Sequence, residues 1–143
     1  MFAPAAASRT ASNVFASVYR QVGVDTGAAS ASPHQLVLML FDGFRDALAQ
    51  ARGAMQSGQV DAKGRAIGRA VRIVNEGLKA GLNLEAGGQL ASDLQALYAY
   101  VALRLMQANL RNDPSALDEC SRLMEPLRTA WVSIGPAAST ATQ

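Results

Sequence analysis

Apolar positions recur at helical period from Ser32 onward, and no segment alternates as a strand would over a useful length. "SPHQLVLMLFDGFRDALAQA" opens the first such stretch. Ser32 suits an N-cap, Pro33 the first helical position, and Gln35 completes an S-x-x-Q capping box. "QSG" near Ser57, "EAGG" at Glu85 to Gly88 and "NDP" at Asn112 to Pro114 divide the rest of the chain, and Asp113 with Pro114 forms a second cap and first-turn pair. The pattern predicts helices over about 33–56, 61–83, 88–111 and 114–134. Short links between long helices predict an all-α, antiparallel, up-and-down four-helix bundle.

The predicted helices differ in how many apolar faces they carry. The fourth has one, gathering Leu117, Cys120, Leu123, Met124, Leu127, Trp131 and Ile134, with Asp118, Arg122, Glu125, Thr129 and Ser133 opposite. The third is apolar front and back: Leu90, Leu94, Leu97, Val101 and Leu105 form a core stripe, and Ala96, Ala99, Leu103, Met106 and Leu110 form another on the far side. On the second, Ile67, Val71, Val74, Leu78 and Leu82 face the core, while Ala66, Ile73, Gly77, Ala80 and Leu84 lie off it. On the first, Leu36, Val37, Leu40, Phe41, Phe44, Leu48, Ala51 and Met55 share the core arc, and Leu38 and Met39 fall outside it. Leaving these off-core side chains in water forgoes roughly 1.5–3 kcal/mol for each large one, so together they predict a binding groove made of Leu38, Met39, Ala66, Ile73, Ala80, Ala96, Ala99, Leu103, Met106 and Leu110. A second copy of the chain, making a structural homo-oligomer, would cover the same faces.

The flanks read differently. Residues 1–31 are rich in Ala, Ser, Gly and Thr and are expected to form a flexible N-terminal segment, with 32–134 as the bundle and 135–143 as a flexible tail. Within the first segment Phe15, Val18, Tyr19 and Val22 fall at helical spacing and predict a short cap, resting on the apolar groove while nothing else occupies it.

Composition and charge narrow the function classes. The 13 Lys and Arg give a net charge of only +2 and are scattered, which speaks against nucleic-acid binding. No apolar run approaches a membrane span, no Sec-type signal pattern opens the chain, and the single Cys120 cannot form an internal disulfide, so a cytoplasmic location is expected.

Candidate chemistry is sparse. His34, the only histidine, lies in a first helical turn and is expected at the surface; the Glu-x-x-His pairs of a di-iron bundle are absent. Cys120 reads as a small core hydrophobe, and neither "GRAIG" nor "EAGGQ" has the Lys and Ser or Thr of a phosphate-cradling loop. No enzyme, cofactor or metal site is expected. Gly64, Gly68, Gly77 and Gly81 stand inside the second helix, either as points of close approach or as weak spots, and Pro126 is expected to bend the fourth helix before Trp131.

Three blocks together carry a family resemblance: S-P-x-x-L-V-x-M-L-F-D-G at Ser32 to Gly43, "LYAYVALRLMQANLRND" at Leu97 to Asp113, and "LRTAW" at Leu127 to Trp131. In their order and spacing they resemble the FliS family, the cytoplasmic export chaperones for flagellin, over about residues 15–134. Tyr19 matches a tyrosine that commonly stands upstream of the first helix in that family, and "GVDTGAASASP" is a longer approach than the usual link. The resemblance implies a helical bundle that holds the disordered C-terminal region of flagellin as that region folds around it, prevents premature polymerisation, and presents the client to a gate component of the flagellar type III secretion system. It also implies no ATP or metal, a monomer without client, and a 1:1 complex with it.

Overall fold

The computed structural model describes residues 15–19 and 32–140, with side chains as far as Gly135. Four helices make the bundle: α1 (Pro33–Gln56), α2 (Val60–Arg72), α3 (Leu84–Arg111) and α4 (Pro114–Thr140). No strand occurs among the described residues. The capping box at the start of α1 forms as the sequence predicts: Ser32 Oγ accepts from the Gln35 amide at 3.1 Å and Gln35 Oε1 accepts from the Ser32 amide at 3.2 Å. Asp113 Oδ1 likewise accepts from the Ser115 amide at 2.9 Å at the start of α4. Asn112 closes α3 in the left-handed conformation, with φ 51°.

Three boundaries differ from the sequence pattern, one of them the end of α4, at Thr140 instead of about 134. α3 begins at Leu84 because Asn83 caps it, its side chain accepting from the Ala86 amide at 3.1 Å; "EAGG" therefore lies inside its first turns, and the chain breaks only at Gly88, with φ 54°. α2 stops at Arg72 and continues as a π-helix over Ile73–Lys79, marked by the Ala80 amide reaching back to the Asn75 carbonyl at 3.1 Å. Ala66, Ala70, Val74 and Leu78 explain the change of pitch: all four are buried at a spacing of four residues. That spacing drifts about 40° per step in an α-helix, and a wider turn takes up the drift. In α4 the backbone stays helical through Pro126 and departs from helical angles at Gly135.

α1 packs against α2 and α4, and α3 packs against α2 and α4, so α1 and α3 occupy opposite corners. The core between them holds Val37, Phe41, Phe44, Val74, Leu78, Tyr98, Val101, Leu105, Leu117 and Trp131, each at most 1 % exposed. Gly77 is a point of close approach, since a β-carbon there would sit 2.8 Å from Leu40 Cδ2; Gly64 has open space around it.

His34 is a correction to the sequence reading. It is buried at 4 % exposure, stacked on Trp131 with ring centroids 5.2 Å apart. Its Nε2–H donates to the Trp131 carbonyl at 2.8 Å, and Trp131 Nε1 donates to the His34 carbonyl at 2.9 Å. Locally a first-turn residue looks exposed, but here the end of α4 covers it. Residues 15–19 pack in the same region. Phe15 and Tyr19 meet the Trp131 ring edge-on, the Tyr19 and Tyr98 hydroxyls are 2.6 Å apart, and the Asn83 amide donates to the Val18 carbonyl at 2.7 Å.

Candidate binding surface

α3 is the element with two apolar faces. Leu94, Tyr98, Val101, Ala102, Leu105 and Ala108 are buried, while Ala96, Ala99, Leu103, Met106 and Leu110 are all exposed, Leu110 at 84 %. The spacing of three and four residues from Ala96 to Leu110 places them in one stripe along the solvent side. On the edge of the stripe nearer α4, a polar network holds the surface in place. Tyr100 donates its hydroxyl to Glu119 Oε2 at 2.5 Å, Arg104 Nε donates to Glu119 Oε1 at 2.7 Å, and Arg104 Nη1 donates to Gln107 Oε1 at 2.6 Å. The two donors hold the Glu119 carboxyl below the usual carboxylate range, Tyr100 contributing most, and the same carboxylate raises the Tyr100 hydroxyl. Tyr100 is itself 41 % exposed and was not among the expected groove residues; its place in an apolar run beside Leu103 was the available signal.

The remaining expected groove residues do not join this stripe as one surface. Met39 is exposed on α1, across the bundle diagonal from α3, and Ala80 is exposed beyond the π segment. Leu38 is partly buried against the core: helical spacing puts it on the face of Asp42 and Arg45, which reach α4 through Arg128 and Glu125. Ile73 is also partly buried, its Cδ1 3.3 Å from the position of a β-carbon at Gly43. Ala66 is 6 % exposed and belongs to the core, because the turn of α2 that carries it faces α1 beside Ala54. Phe15, Val18 and Tyr19 are buried against Trp131, Tyr98 and Gly87 on the core side of α3, away from the outer stripe where their spacing alone would seat them. Val22 lies outside the described residues.

Burial pushes the Cys120 thiol up to about 11, and its Sγ points at the Val101 carbonyl 3.7 Å away. No group of three or more His, Cys, Asp or Glu that could hold a metal occurs among the described residues, and no helix there is long and apolar enough to cross a membrane. The arrangement suits an apolar segment laid along the stripe.

Comparison with known proteins adds a family to this geometry. A family model described as "Flagellar protein FliS" matches residues 15–138. The chain is 49 % identical over 130 residues to the flagellar secretion chaperone FliS of Salmonella typhimurium, covering 91 % of this chain and 95 % of that one. It is 43 % identical over 116 residues to flagellar secretion chaperone FliSB of Pseudomonas aeruginosa, covering 81 % and 91 %. With the flagellar secretion chaperone FliS of Bacillus subtilis the identity is 30 % over 113 residues, covering 79 % and 80 %.

Proposed function

The chain belongs to the FliS family, and from that premise we propose that it is a cytoplasmic export chaperone that binds the disordered C-terminal region of flagellin. The single observation that best supports this reading is the exposed stripe of Ala96, Ala99, Leu103, Met106 and Leu110 on a helix whose other face is core. An unpartnered apolar stripe of this length fits an amphipathic client helix laid along it, with the client folding as it binds. Covering the client's apolar face blocks the contacts through which it would assemble, and a bound, monomeric client can be passed to a component of the flagellar type III export gate. Met39 and Ala80 lie off the stripe and would be reached by a client that wraps around the bundle. No catalytic step enters this function.

Calorimetric titration of the chain with a flagellin C-terminal peptide tests it. A saturable 1:1 complex with a negative heat-capacity change is expected, since apolar area leaves water. The Leu103→Asp and Met106→Asp double variant is expected to fold normally and lose binding. The second reading, a homo-oligomer sealed through the same stripe, predicts a dimer mass for the chain alone in light scattering, where the chaperone reading predicts a monomer.

A further inference from the structure

A second cleft, between α1 and α2, differs from the apolar stripe in chemistry. Its volume is about 540 Å³, and Arg65, Arg69 and Arg72 of α2 line it, with Gln50, Ser57 and Gln59 among the residues around them. The three arginines are spaced i, i+4, i+7, so their guanidinium groups form a row on one face of α2. All three are exposed. Arg69 leans across toward α1, with Nη2 3.6 Å from the position of a β-carbon at Gly43.

Charge pairing distinguishes this row from the arginines of the other cleft. The cleft between α1 and α4 also carries arginines, but there Arg45 pairs with Glu125, Arg52 with Asp118 and Arg128 with Asp42. Arg104 pairs with Glu119. Among the described residues Arg65, Arg69 and Arg72 form no ion pair, although Asp46, Asp61 and Glu76 stand within a few positions of the cleft in sequence. Three like charges held in a row repel one another at i, i+4 spacing, and an anionic partner removes that cost.

We propose that the α1/α2 cleft docks an acidic helix of a partner protein, whose carboxylates at i, i+4, i+7 match the arginine row in charge and spacing. Arginine's planar fork suits carboxylates, and the Gln50 and Gln59 amides offer neutral donors around it. The rest of this chain does not supply such a segment. Residues 1–14, 20–31 and 141–143 contain one acid, Asp25, and no described helix presents three unpaired carboxylates in such a row for a second copy to use. Nucleic acid fits less well, since no aromatic side chain lines the cleft to stack a base. An acidic helix without flagellin sequence probes the cleft separately from the flagellin reading.

The test uses the full chain and a designed alanine-based helical peptide of about 20 residues with three glutamates at i, i+4, i+7. Fluorescence anisotropy is expected to show saturable binding that weakens with added salt. The Arg65→Gln, Arg69→Gln, Arg72→Gln triple variant, checked for folding by circular dichroism, is expected to bind about tenfold more weakly. The Arg111→Gln, Arg122→Gln control, which removes two exposed arginines outside the cleft, is expected to bind as the unmodified chain does. Absence of binding overturns the proposal, as does equal binding of a peptide with the same glutamates scattered around the helix. Unchanged binding by the triple variant, or loss of binding on Leu103→Asp, places the probe elsewhere and also overturns it. Tighter binding of a single-stranded oligonucleotide through the same arginines assigns the cleft to nucleic acid instead.

Discussion

Leu103 and Leu105 are two positions apart on α3 and lie in opposite environments, 52 % and 0 % exposed. Leu105→Asp puts a carboxylate into the core without a partner, at about 3–5 kcal/mol, a large part of the roughly 5–15 kcal/mol a domain holds. Circular dichroism is expected to show an unfolded or barely folded chain. Leu103→Asp charges a surface already in water, so its melting curve is expected to overlay that of the unmodified protein; a comparable loss of stability would make the stripe interior. Cys120 gives an independent readout of the core. With its thiol pushed up to about 11 by burial, it is expected to react with a thiol reagent at pH 8 only as the bundle opens, and modification in the folded state at the rate of a free thiol would contradict its placement. At this scale the apolar stripe was legible, because exposure along a helix follows its period. Neither the burial of His34 nor the role of Lys63 was legible. His34 depends on Trp131, 97 positions away. Lys63 Nζ donates to the Asn109 carbonyl at 3.0 Å and Asn112 Oδ1 at 3.2 Å, placing a cation on the C-terminal end of α3. Local pattern carries no trace of partners so distant.

Glycine positions separate helix propensity from packing at the scale of the element. Gly64 of α2 has nothing within 4 Å of a prospective β-carbon, so Gly64→Ala is expected to stabilise the protein by about 0.5–1 kcal/mol. Gly77, in the π segment, lies under the Leu40 methyls, and Gly77→Ala must turn the end of that half-buried side chain aside, which offsets the gain in helix propensity. Denaturant melts are expected to place Gly64→Ala above Gly77→Ala in stability; a Gly77→Ala as stabilising as Gly64→Ala would remove close approach as the reason for that glycine. The sequence left both readings open for these glycines, and each holds at a different position. Helix number, order and most ends were readable because the Ser32–Gln35 capping box, the Asp113–Pro114 pair and Gly punctuate the chain directly. The π segment was not, because a run of Ala66, Ala70, Val74 and Leu78 fits an ordinary helix until the core it must keep facing is known.

Across the whole molecule, residues 15–19 tie α3 and α4 together. Phe15 and Tyr19 pack on Trp131 of α4, Tyr19 reaches Tyr98 of α3, and Val18 sits so close to Gly87 that a β-carbon at Gly87 would overlap it. Desolvation raises both tyrosine hydroxyls well above their ordinary range, which keeps the pair neutral and hydrogen-bonded well into alkaline pH. The sequence showed that this segment was amphipathic but not which apolar surface it meets, since Trp131 and the outer stripe of α3 are equally apolar in one dimension. Burying Phe15, Val18 and Tyr19 contributes roughly 1.5–3 kcal/mol for each side chain before ordering costs, so removing residues 1–19 is expected to lower the melting temperature by several degrees or more. The same truncation uncovers Trp131 and Tyr98 and takes the carbonyl partner from the Asn83 amide. Light scattering is therefore expected to show concentration-dependent self-association, and hydrogen exchange to show faster exchange at Asn83. A truncated chain that melts as the full chain does and stays monomeric would mean that α3 and α4 close this end of the bundle without the segment.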